Sequence, residues 1–122
     1  MIVEIAKFEV KPEDVAAFIA ATRVGERIFN EAEGCISMEL RQCVEQPGSF
    51  RMIVLWRKIE DHIEVFRNSK GVQEWRATIG PFLKQPGEIL NFDEPVVSAG
   101  VRLPSEGVTT SSNWRAKASV DR

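Results

Sequence analysis

The 122 residues include one histidine, His62, two cysteines, Cys35 and Cys43, and no tyrosine. The cysteines stand eight positions apart. On a single strand that spacing is roughly 26 Å at ~3.3 Å per residue, far beyond disulfide reach. No CxxC and no histidine-rich tract accompanies them, so two reduced thiols are expected and no metal site is. GxGxxG, GxxxxGK with a following Ser or Thr, GxSxG and HExxH are all missing, which removes support for dinucleotide, phosphate-loop, serine-hydrolase and zincin readings. No cofactor is expected. Like charges never cluster in blocks of five or six, and the balance of 16 basic against 18 acidic residues leaves −2. Neither a nucleic-acid stripe nor a polybasic membrane anchor is therefore indicated. No apolar run approaches the ~18 residues of a membrane span. The opening MIVEIAKFEV lacks the features of a secretory leader, so the expected location is cytoplasmic.

What is present is an ordinary globular composition, 43% hydrophobic and 28% charged, in a chain long enough for one core. Residues 2–10 are rich in β-branched side chains and read as a strand. Pro12, Glu13 and Asp14 suit a first helical turn. From there Val15, Phe18, Ile19, Thr22 and Phe29 keep helical spacing, which predicts one helix of about five turns with Gly34 as its stop. Cys35 to Val44 alternates, with Ile36, Met38 and Leu40 on one face. Pro47 and Gly48 supply a turn, and 50–57 forms the next strand of a hairpin. IEDHIEVFRNS and KGVQEWRATIGPFLKQP carry helical patterns with a bend near Asn68 and Gly71, and 88–97 reads as a last strand. The order βαββαβ predicts an α+β, ferredoxin-like domain over 1–96. Residues 97–122 read as a tail, either irregular or reaching onto a partner subunit through Trp114, its one large apolar group.

The strand from Phe50 is apolar on both faces: Phe50, Met52, Val54 and Trp56 on one, Ile53 and Leu55 on the other. A strand of that kind is covered on both faces. One chain of this length offers helices for one side only. A second copy packed sheet to sheet is the economical cover, which predicts a homodimer.

His62 opens a helical stretch beside Glu60 and Asp61. A helix N-terminus disfavours imidazolium and neighbouring carboxylates favour it, opposing influences suited to acid–base chemistry near neutral pH. The bland alternative is a histidine facing solvent. Phe66 follows four residues later on the same helical face, and Trp56 closes the preceding strand. With Arg76, Met52 and Ile79 they predict a mainly apolar pocket between helices and sheet, suited to a flat aromatic ligand. Trp75 and Phe82 read as core.

The run Gly34-Cys35, Glu45, Phe50, Trp56, His62, Phe66, Ser69, then Glu74-Trp75 and Pro81-Phe82-Leu83, resembles the antibiotic biosynthesis monooxygenase family over residues 1 to about 95. The resemblance implies a dimeric α+β barrel built from two ferredoxin-like halves. It also implies cofactor-free oxidation of a small phenolic, hydroquinone or anthrone-like substrate by molecular oxygen. The anthrone-oxidising branch carries Asn-x3-Trp-x5-Tyr with an arginine twenty residues after the tryptophan. Here Trp56 and Arg76 match, Met52 replaces the asparagine and His62 the tyrosine. On this reading His62 is the base, Arg76 steadies a developing oxyanion, and Trp56, Phe66, Met52 and Ile79 shape the pocket. In the haem-degrading branch of the same fold the three functional positions fall on Ala6, Phe66 and Arg76, all replaced. The rival from another class is a non-catalytic dimeric module that binds a small hydrophobic ligand.

Overall fold

The computed structural model describes residues 1–100. Alternating apolar side chains build four strands: β1 (Ile2–Glu9), β2 (Cys35–Gln42), β3 (Ser49–Trp56) and β4 (Glu88–Phe92). They stand in the order β2-β3-β1-β4, every neighbouring pair antiparallel. Helices α1 (Val15–Val24), α2 (Glu26–Glu31) and α3 (Lys70–Ile79) complete the βαββαβ pattern, and the ferredoxin-like α+β class follows. Among the described residues no helix is long and apolar enough to cross a membrane.

Three local features differ from the sequence reading, each for a physical reason. The expected single helix is a 3-10 turn at Pro12–Asp14 followed by α1 and α2, interrupted at Gly25. A Cβ at Gly25 would lie 2.7 Å from the Trp75 ring, so the break sits where the Trp75 ring of α3 leaves no room for a side chain. In β2 a bulge between Cys35 and Ser37 shifts the register. It turns Ile36 outward, 49% exposed, while Cys35, Met38 and Leu40 pack on the core. The last strand ends at Phe92 rather than 97. Beyond it the Asp93 carboxylate accepts from the Glu94 amide, Pro95 has no N–H to offer, and Val96 and Val97 stand exposed. Trp114 and its expected docking lie outside the described residues.

Gly34 does mark the corner before β2. Its φ is +80°, its carbonyl accepts from the Arg57 amide at 2.9 Å, and the Asp61 side chain fills the space a Cβ would need. The inner sheet face carries Ala6, Phe8, Phe50, Met52, Val54 and Trp56, all buried beneath Phe18, Ile28, Phe29, Phe66, Val72, Trp75 and Ile79. Edge-on and tilted aromatic contacts knit the layers: Phe18–Phe50 and Phe29–Trp75 at 4.9 Å, Phe29–Phe66 at 5.3 Å.

The outer face has no cover from the described residues. Register places Ser37, Leu55, Val3 and Phe92 in one cross-strand row and Glu39, Ile53, Ile5 and Leu90 in the next. A third row is polar: Arg41, Arg51, Lys7 and Glu88. Leu90 is 63% exposed and Phe92 48%.

Candidate functional site

Strand register sets the floor of the site. Glu4 and Asn91 are direct partners across β1 and β4, and Trp56 is the diagonal neighbour of Glu4 across β3, so all three side chains share the inner face. Above them the chain after β3 forms a π-helical segment, Asp61–Phe66, in which the Arg67 amide donates to the His62 carbonyl at 3.0 Å. The wider turn carries His62 over the sheet and returns Phe66 to the core. Ser69 then starts α3 cleanly: its hydroxyl accepts from the Val72 amide at 3.1 Å and donates to the Phe66 carbonyl at 2.6 Å.

His62 is buried, 6% exposed, and both of its nitrogens are held. Asn91 Oδ1 lies 2.7 Å from Nδ1, so Nδ1 carries the proton and donates. Nε2 lies 3.3 Å from Glu4 Oε1, which also accepts from the Trp56 indole N–H at 2.9 Å. The imidazole stacks on the Trp56 indole, centroids 5.3 Å apart and planes 6° from parallel. Burial pushes the Glu4 carboxyl above the usual carboxylate range, with the nearby His62 charge and the Trp56 N–H opposing the shift. The neighbours suggested by sequence play another part: Asp61 accepts from Arg57 Nε at 3.3 Å, and Glu60 is exposed. Cys35 is a free thiol pushed up by burial and by the Glu4 charge, hence a poor nucleophile.

A cavity of about 360 Å³ opens beside this cluster, bounded by β1, β3, β4, α3 and the segment before it. His62, Arg76, Phe66, Met52 and Ile79 all line it. Trp56 does not; it is fully buried behind His62 and meets the cavity only through the stacked imidazole. Trp75, read from sequence as core, is both buried and part of the wall. Sequence reasoning missed Glu4 and Asn91. The signal for Glu4 was present, since the side chains at 4, 6 and 8 share one face with Ala6 and Phe8, which makes Glu4 an acid on a core-facing stripe. Asn91 offered no such signal. Among the described residues no group of three potential ligands could hold a metal ion. A second, larger depression lies between α1, α2 and β2, lined by Thr22, Arg23, Met38 and Leu40 among others, and contains no comparable buried polar cluster.

The comparisons with known proteins agree with this architecture. A family model described as antibiotic biosynthesis monooxygenase matches residues 1–78. The Bacillus subtilis protein YczJ is 33% identical over 82 residues, covering 67% of this chain and 86% of YczJ. A Bordetella bronchiseptica structure assigned to the antibiotic biosynthesis monooxygenases is 29% identical with a TM-score of 0.74, over 78% of this chain and 97% of that one. A Deinococcus radiodurans structure with the same assignment has a TM-score of 0.71 at 13% identity, over 84% of this chain and all (100%) of that one, a likeness of fold alone. With the family model spanning residues 1–78, β1 through nearly the end of α3, the chain belongs to the antibiotic biosynthesis monooxygenase family.

Proposed function

We propose that the protein is a cofactor-independent monooxygenase that oxidises a small, electron-rich aromatic substrate, phenolic, hydroquinone or anthrone-like, with molecular oxygen. The observation that carries this reading is the buried His62, held between Asn91 and Glu4 on the wall of a cavity of about 360 Å³. That volume falls in the range of small-molecule sites, and the apolar wall of Phe66, Met52 and Ile79 suits a flat ring.

Glu4 and His62 work as one proton-accepting unit. Desolvation weakens the carboxylate's preference for its charged form, so a single proton is shared between Oε1 and Nε2 at modest cost. A substrate O–H or activated C–H beside the pair gives up its proton to the Glu4 carboxylate, leaving a neutral carboxyl beside a protonated His62. The resulting anion passes an electron to oxygen. In a methylene-to-carbonyl conversion one oxygen atom enters the product and the other leaves as water with the two hydrogens removed. Arg76, exposed on the rim, favours an anion within the cavity. Trp56 fixes the imidazole plane from behind. Both imidazole nitrogens are engaged by protein groups, so neither is free to bind a haem iron, which disfavours the haem-degrading reading.

The active unit in this reading is a homodimer. Its support is the outer sheet face, where Val3, Ile5, Ile53, Leu55, Leu90 and Phe92 form two apolar rows that a second sheet would cover.

Oxygen uptake with a panel of hydroquinones and anthrones tests the function. The wild-type protein should consume oxygen with at least one of them, and His62→Ala should lower kcat/KM by about a hundredfold to ten-thousandfold while remaining folded. Unchanged turnover in that variant would remove His62 from the mechanism. Tight ligand binding with no uptake across the panel would favour the non-catalytic module.

A further inference from the structure

We infer that the natural ligand is an aromatic carboxylate, bound with its hydroxyl toward Glu4 and His62 and its carboxylate at the rim between Arg67 and Arg76. The cavity wall contains four ionisable side chains: Glu4, His62, Arg67 and Arg76. The first two are buried on the sheet side and joined to each other. The other two are exposed, Arg67 where the π-helical segment ends and Arg76 in α3. Phe66, Met52, Ile79 and Trp75 supply apolar wall in the same cavity. The cavity thus joins a buried polar pair, an apolar wall and two exposed guanidinium groups.

The buried pair and the exposed pair differ in charge. One shared proton leaves the Glu4–His62 pair neutral in either arrangement, carboxyl with imidazole or carboxylate with imidazolium. The rim is not neutral, because arginine stays protonated in proteins. Elsewhere Arg27, Arg41, Arg51 and Arg57 each pair with a carboxylate: Glu31 and Glu74, Glu39, Glu9 and Asp61 respectively. Among the described residues Arg23, Arg67 and Arg76 have no acidic partner; of these only Arg67 and Arg76 line this cavity, and Glu4 carries the only carboxyl among its described lining residues. Two exposed guanidinium groups lining one cavity offer N–H donors that match a carboxylate. A permanent anion at the rim would also fix which end of the ring meets the proton-accepting pair, an orienting function that an unsubstituted phenol could not exploit.

This inference rests on the cavity being the ligand site, and its test is binding, which is independent of turnover. The probes are 2-naphthol and the hydroxynaphthoate that has its hydroxyl and carboxylate on opposite rings, titrated calorimetrically under anaerobic conditions. The hydroxynaphthoate should bind roughly tenfold tighter, the factor expected of one surplus charge-assisted contact. Added salt should shrink the difference. Arg67→Gln and Arg76→Gln should each narrow it, and the double variant should bring the two affinities together. Equal affinities in the wild-type protein, or a preference that survives the double variant, would overturn the carboxylate assignment while leaving the aromatic site standing. Failure of both probes to bind would overturn the carboxylate assignment and the cavity reading together.

Discussion

Between the Trp56 indole and the cavity the His62 ring has little freedom to turn. Stacking fixes its plane, Asn91 takes one nitrogen and Glu4 the other. Glu4 is the residue whose removal is most informative, because its carboxyl titrates higher in the folded chain than in an unfolded one. The folded state therefore holds that proton more tightly. The stability Glu4 contributes is fully present below the ordinary carboxylate range and is lost as pH rises through its raised folded-state pKa. The groups facing it are His62, Asn91, Trp56 and the Cys35 thiol, and of these a protonated His62 opposes the loss. Glu4→Gln keeps an acceptor for the Trp56 N–H and has no charge to desolvate. Urea unfolding from mildly acidic to neutral pH should show wild-type stability falling relative to the variant. Parallel curves would mean that the carboxyl is well solvated. His62, Phe66 and Arg76 were legible from spacing on a helix after a strand. Glu4 was legible only as an acid on a core-facing stripe; its pairing with Asn91, and Asn91 itself, depend on which strands neighbour β1.

At the scale of elements, the site depends on the corner where α2, β2 and the π-helical segment meet. Gly34 adopts a left-handed φ with the Asp61 side chain against its Cα, and its carbonyl anchors the end of β3. Gly34→Ala should cost about 1–3 kcal/mol, read as a lower urea midpoint with an unchanged slope. Ser69→Ala, which removes the cap of α3, should cost roughly 1 kcal/mol. An undiminished midpoint in Gly34→Ala would mean that the corner relaxes freely. β-Branched content revealed β1 and the two-sided apolar pattern revealed β3, each to within one residue at its ends, and helical spacing revealed α3. The bulge after Cys35, the break at Gly25 and the early end of β4 escaped these patterns. The break at Gly25 is set by a tertiary neighbour, the Trp75 ring, and the end of β4 by Asp93 and Pro95, whose polar and N–H-lacking character interrupts a run that otherwise continues apolar through Val96 and Val97.

For the whole molecule, the two-sided apolar character of β3 foretold a sheet with one face under helices and the other awaiting a cover. The covered face and the two apolar outer rows agree with that expectation, and the partner itself remains the proposal. Ile53→Lys, at the centre of the outer face, places a charge where a second sheet would desolvate it. Light scattering should report twice the chain mass for the wild-type protein and a shift toward the single chain for the variant. A wild-type monomer would contradict the barrel. In the proposed mechanism a Glu4–His62 pair in a cavity directs molecular oxygen onto an aromatic substrate. The most direct test of that mechanism supplies isotopically heavy oxygen gas to the wild-type protein and to His62→Ala with an anthrone, then weighs the quinone product. Heavy oxygen should appear in a product formed rapidly by the wild-type protein and barely above background by the variant. Unlabelled product, or labelling at equal rates in both proteins, would contradict it.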